Sequence, residues 1–286
     1  MTVIDAHLHF WDPTVFSYPW LDGDLAASYL PADLHLGDSG VRAAVFVQAD
    51  CVPTEALEEV RWASGLGPLI AGIVAYAPVD SRDALPPWLD ALDEFPLVRG
   101  IRRNLQGESS SFLESPDLID SLSVLADRGL PFDACVTWRQ LPQLAALVAR
   151  VPDLLIVLDH LGKPPVGAGW KAPESREWDR SIRELARSER VSVKLSGLAP
   201  ESRPGDDLDA SSRPFLEAAL DAFGATRCMV GSDWPVSSVV PEKRSYSSWF
   251  DTVLSALSPE ERTSVGSQTA RSIYRLDVEE DTCSRE

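Results

Sequence analysis

Ile4-Asp5-Ala6-His7-Leu8-His9-Phe10 stands at the start of the chain, and its reading decides the fold. With the period of two of a β-strand, Asp5, His7 and His9 share one face and Ile4, Ala6, Leu8 and Phe10 share the other. The apolar set reads as the face that packs on helices, which turns the polar set inward. Two imidazoles at i and i+2 on one strand can converge on a single cation or substrate oxygen.

Working outward, seven further short β-rich runs follow: Ala43–Ala49, Ile70–Pro78, Val98–Asn104, Pro131–Val136, Leu154–His160, Val191–Ser196 and Cys228–Asp233. Several are almost continuously apolar, as strands covered on both faces are. Helical stripes lie between and after them. Leu141, Leu144, Leu147, Val148 and Val151 form one, as do Trp178, Ile182, Leu185 and Ala186, and Phe215, Ala219, Leu220 and Phe223. Beyond the eighth strand come Phe250, Val253, Leu254 and Leu257, then Ser258-Pro259-Glu260-Glu261, a capping-box helix start. Eight strands alternating with helices predict an α/β fold of one domain, a closed (β/α)8 TIM barrel. Neither G-x-G-x-x-G nor a Walker A motif is present to argue for an open doubly wound sheet. The barrel is expected over residues 1–277, with a loose acidic tail over 278–286. Three long connections, 11–42, 161–175 and 197–212, carry enough Trp, Tyr and Pro to read as packed lids.

Composition narrows the partners. The 286 residues carry a formal net charge of −18, a field that repels phosphate backbones and anionic lipid. No nucleic acid and no membrane are therefore expected as partners, and a small molecule is. Cys51, Cys135, Cys228 and Cys283 stand far apart without a C-x-x-C spacing, and the first residues lack a basic, apolar leader. A cytoplasmic enzyme with free thiols is the expectation. Monomer and homodimer are equally compatible with the sequence.

Active sites of barrels lie at the C-terminal ends of strands. His160 stands where the sixth apolar run meets Leu161-Gly162-Lys163-Pro164, beside Asp159, which reads as an orienting group. Asp233 ends the eighth run beside Trp234 and Pro235, where partial desolvation would raise its pKa toward a useful range. Its bland alternative is a helix N-cap. Arg102 and Arg103 end the fourth run; one must face inward and one outward. Gln48, Tyr76 and Trp138, at or just past three other strand ends, are candidate substrate contacts, as is the Ser196-Gly197 pair. Trp11, Trp20 and Trp234 are candidate pocket walls. His35 reads as bland, Cys135 as a small core residue, and no G-x-S-x-G elbow exists.

These residues add up to a pattern. His7-x-His9, Asp159-His160-Leu161-Gly162-Lys163-Pro164 and Gly231-Ser232-Asp233-Trp234-Pro235 resemble the amidohydrolase superfamily. They are most similar to its amidohydrolase-2 family, the branch of sugar-lactone and muconolactone hydrolases. Gly100-Ile101-Arg102, Lys194-Leu195-Ser196-Gly197, Phe10-Trp11-Asp12-Pro13 and Tyr18-Pro19-Trp20 agree, so the resemblance spans about residues 3 to 276. It implies a small-lactone hydrolase in which Asp233 acts as general base and acid, with His160, His7 and His9 catalytic. It adds Lys163 to the substrate contacts. Many relatives carry a bridging lysine on strand four and a histidine on strand five, and both are missing here. The resemblance therefore implies at most one divalent ion, zinc or manganese, held by His7, His9, His160 and Asp233, or none. Its second implication is a metal-dependent, non-oxidative decarboxylase of an aromatic or muconate acid.

Overall fold

The computed structural model describes residues 2–255 and 257–278; the tail expected over 278–286 lies, beyond Val278, outside the described residues. Eight parallel strands follow one another in chain order: β1 (Val3–Leu8), β2 (Val41–Val47), β3 (Ile70–Tyr76), β4 (Val98–Asn104), β5 (Phe132–Cys135), β6 (Ile156–Leu158), β7 (Val191–Leu195) and β8 (Cys228–Val230). Helices lie between them, and the architecture is a single (β/α)8 barrel. The expected stripes on Leu141–Val148, Pro173–Leu185 and Leu208–Phe223 are buried against the sheet. Ser258 caps its helix with the expected reciprocal pair to Glu261. No described helix is long and apolar enough to cross a membrane.

The barrel closes just past β8. Asp233 N donates to His7 O at 2.8 Å and His9 N donates to Trp234 O at 2.8 Å. The seam is tight: a side chain at Gly231 would bring its Cβ to 2.8 Å from the Cβ of His7, so only glycine fits there.

One expectation fails on β1. Ile4 and Ala6 pack with Val45, Val74, Val157 and Met229 in the barrel interior, whereas Leu8 and Phe10 join the larger core between sheet and helices. The register slips between Asp5 and Leu8. Strict alternation breaks at this irregularity, so Asp5 does not share a face with His7 and His9. Asp5 instead is a latch at the seam. Its carboxylate accepts from His7 N at 3.0 Å, Ser232 N at 2.8 Å and Tyr246 Oη at 2.7 Å.

β6 and β8 are also shorter than expected. His160 and Asp233 have φ of 53° and 54°, so the chain leaves the extended region before reaching them. Both lie on turns beyond their strands. The connection over 11–42 is packed, with Trp11 buried and its indole donating to Leu25 O and Ala27 O at 3.1 and 2.9 Å.

Candidate active site

The site lies at the C-terminal mouth of the barrel, over the closing seam. Asp233 Oδ1 is 3.8 Å from His7 Nε2, 3.7 Å from His9 Nε2 and 3.8 Å from His160 Nε2. His7 Nε2 and His9 Nε2 are 2.9 Å apart. Imidazole nitrogens of His7 on β1, His9 just past it and His160 after β6 thus lie within 3.8 Å of one carboxylate oxygen after β8.

The opposite ring nitrogens are held from behind. His9 Nδ1 donates to Val47 O at 2.7 Å; a carbonyl only accepts, so Nε2 presents its lone pair to the site. His160 Nδ1 is hydrogen-bonded to Ser196 Oγ at 2.9 Å. Its ring lies so close to β7 that a Cβ at Gly197, where φ is +66°, would fall 2.3 Å from Nδ1. His7 Nδ1 lies 3.2 Å from Asp159 Oδ1 and 3.1 Å from Lys194 Nζ.

Beneath His7 runs a buried charge network. Lys194 Nζ contacts Asp133 Oδ2 at 2.5 Å and Asp159 Oδ1 at 3.0 Å, and Tyr274 Oη donates to Asp133 at 2.8 Å. Arg102 Nη1 stands 3.5 Å from Asp159 Oδ2, and its Nη2 donates to Gln48 O at 3.0 Å. Burial pushes the Asp159 carboxyl upward, but Lys194 and His7 outweigh it and hold the group well below its usual range. Burial is the main cause that holds His7 and His160 well below the ordinary histidine value and lowers His9 to about 3. The imidazoles are therefore neutral, the form that binds metal. Burial pushes Asp233 up to about 7; Ser237, whose hydroxyl donates to Oδ2 at 2.7 Å, opposes this shift. That bond goes to a hydroxyl, and the short helix Val236–Val239 receives no side-chain cap.

Above these groups opens a pocket of about 300 Å³, the lower end of the range for small-molecule sites. His9, His160, Asp233, Arg102, Lys163 and Trp20 line it. Gly197 of the Ser196-Gly197 pair lines it too, as does Cys135, which the sequence placed in the core; the other candidate substrate contacts stand outside. Arg103 faces away, paired with Glu108 at 2.9 Å and Asp80 at 3.5 Å. Gln48 sits behind the wall, its side chain bonded to Asp50. Tyr76 packs on Trp88, Trp138 lies under Arg139, and Trp234 packs on Phe10 and Tyr29. Asp50, Asn104 and Gln106, which also line the pocket, escaped the sequence reading. The rule that found Gln48 stopped two residues short of Asp50. Among the described residues, six non-glycine positions have left-handed φ, and four of them, Asp50, His160, Lys163 and Asp233, line this pocket. Backbone strain of that kind concentrates at functional sites.

The donor set fits a divalent ion. Three neutral imidazole nitrogens and one carboxylate oxygen converge, and second-sphere bonds orient the rings. His7, His9 and Asp233 form one ligand group whose atoms lie within 4.8 Å of one another.

A parallel barrel with two strand-one histidines, a histidine after strand six and an aspartate after strand eight defines a hydrolase-type barrel centre. The chain belongs to the amidohydrolase family, whose sequence profile, described as Amidohydrolase, matches residues 4–276. It is 36% identical to an L-fucono-1,5-lactonase of Burkholderia ambifaria over 96% of both chains. It is 33% identical to an L-fucono-1,5-lactonase of Burkholderia multivorans, again over 96% of each. A crystal structure of an amidohydrolase from Burkholderia multivorans with bound zinc superposes with a TM-score of 0.82 at 32% identity, covering 96% of this chain and 100% of that one.

Proposed function

We propose that this protein hydrolyses small lactones, with sugar-acid lactones as its substrates and Asp233 as the proton carrier. One observation carries the reading: a single carboxylate oxygen stands 3.7–3.8 Å from three imidazole nitrogens at the floor of a small polar pocket. The names of the two Burkholderia relatives support the substrate class.

Opening a lactone forms a bond from water oxygen to the carbonyl carbon and breaks the bond from that carbon to the ring oxygen. Asp233, with its pKa near 7, suits both proton movements. It takes one proton from the attacking water and returns it to the departing ring oxygen. Arg102 lines the pocket, and its guanidinium donates toward the carbonyl oxygen as negative charge develops there. A divalent ion held by His7, His9, His160 and Asp233 would add Lewis-acid polarisation of that carbonyl. Trp20 supplies an apolar wall, its indole fixed by a 2.7 Å bond to Ala49 O.

A pH-indicator screen of aldonolactones, with and without chelator, tests this. Each ring opened yields a carboxylic acid that ionises, releasing one proton. A protein that opens no lactone but liberates carbon dioxide from an aromatic or muconate acid would be the decarboxylase instead.

A further inference from the structure

Asp50 follows β2 with φ of 58°, a conformation that Asp and Asn tolerate better than most residues. It is firmly held. Its amide donates to Gln48 Oε1 at 2.6 Å, while its two carboxylate oxygens accept from Gln48 Nε2 at 3.3 Å and Asn104 Nδ2 at 2.7 Å. Each carboxylate oxygen has about two lone-pair sites, so both oxygens keep acceptor capacity on a side chain that lines the pocket.

The charge balance of the lining is specific. Apart from the neutral histidines, its charged side chains are Asp50, Arg102, Lys163 and Asp233, two acids against two bases. A pocket built to take a carboxylate-bearing ring needs a surplus of cations. Here Arg102 already stands 3.5 Å from the Asp159 carboxylate and donates to Gln48 O at 3.0 Å, and the −18 of the whole chain adds a repelling field.

We propose that Asp50 selects the substrate by charge: it accepts a hydrogen bond from a ring hydroxyl of an uncharged lactone and turns away lactones that carry an ionised carboxylate. This rests on the lactonase reading above. It separates the sugar-acid lactones from the muconolactone type, which shares the ring chemistry but carries a carboxymethyl arm.

The test measures kcat/KM for L-fuconolactone and for muconolactone on the wild-type protein and on Asp50→Asn. The wild type should favour the uncharged lactone by about 100-fold or more, since juxtaposed like charges suppress the wrong partner. In Asp50→Asn the preference should narrow by about 10- to 100-fold, through loss on the hydroxylated ring and gain on the carboxylated one. The wild-type preference should also shrink with added salt, a readout that needs no variant. A wild type that prefers muconolactone, or a folded variant that slows both lactones equally, overturns the role of Asp50 while leaving a lactonase. Failure to open either lactone removes the lactonase reading and this one with it.

Discussion

Lys194 Nζ and Asp159 Oδ1 lie 3.0 Å apart, both fully buried, directly beneath His7 of β1. The lysine is a fixed interior cation. Asp133 and Asp159 outweigh the cost of its burial and raise its pKa, so it keeps its proton. Lys194→Met would leave buried Asp133 without its ion-pair partner and Asp159 with Arg102, 3.5 Å away, as its remaining cation. Chemical denaturation should show a loss of about 3–5 kcal/mol, the range for breaking one side of a buried ion pair. A loss below about 1 kcal/mol would show that the ammonium is not needed to hold the interior together.

The same ammonium bears on metal content. His7, Asp159 and His160 form a second ligand group, but Lys194 already sits 3.0 Å from Asp159 and 3.1 Å from His7 Nδ1. Chelated protein titrated with zinc or manganese should saturate at one equivalent by elemental analysis. Two tightly held equivalents would contradict this.

Asp233→Asn should lower lactone turnover by about 100-fold or more, because an amide cannot take a proton from water. A variant within a few-fold of wild type would move proton transfer to His160 or His9.

The pH dependence has two signs. For activity, Asp233 must be ionised to act as a base, so kcat/KM of the chelated protein should climb with pH to a plateau above about 7. For stability, burial raises the folded pKa above the unfolded value, so the carboxyl favours the folded state below the unfolded pKa. That contribution falls away as pH rises toward 7. Melting of metal-free Asp233→Asn against wild type should therefore show a relative gain at pH 8 and little difference at pH 4. Equal melting differences at both would show that the carboxyl is not desolvated.

The eight-strand order and the two turns bearing His160 and Asp233 were legible because apolar runs that end in Gly, Pro and polar residues are a local signal. The β1 pattern was not. Alternation assumes an unbroken ladder, and the slip between Asp5 and Leu8 reverses which residues face inward. Which of Arg102 and Arg103 enters the barrel was equally undecided. It follows from register, since Gly100, Arg102 and Asn104 share the inner face: Gly100 adjoins the ring of Tyr274, and Asn104 lines the pocket. The Asp133–Lys194–Tyr274 network joins residues far apart in sequence, and a charged residue inside each of two largely apolar runs, Asp133 and Lys194, is the hint the sequence carries. Trp138, Tyr76 and Trp234 met the strand-end rule but found aromatic or cationic neighbours outside the pocket.

The closing seam joins the first strand to the last, and His7 and His9 meet Asp233 across it. Reactivity is thereby tied to completion of the ring. A nascent chain lacking its final strand holds two histidines with no acid opposite them, whatever else has folded. Pairing of strands far apart in sequence is intrinsically slow, because its loop-closure entropy is lost before the contact stabilises anything. The protein can thus acquire its chemistry only in the step that makes it whole, and enzymatic activity during refolding would serve as a clock for barrel closure.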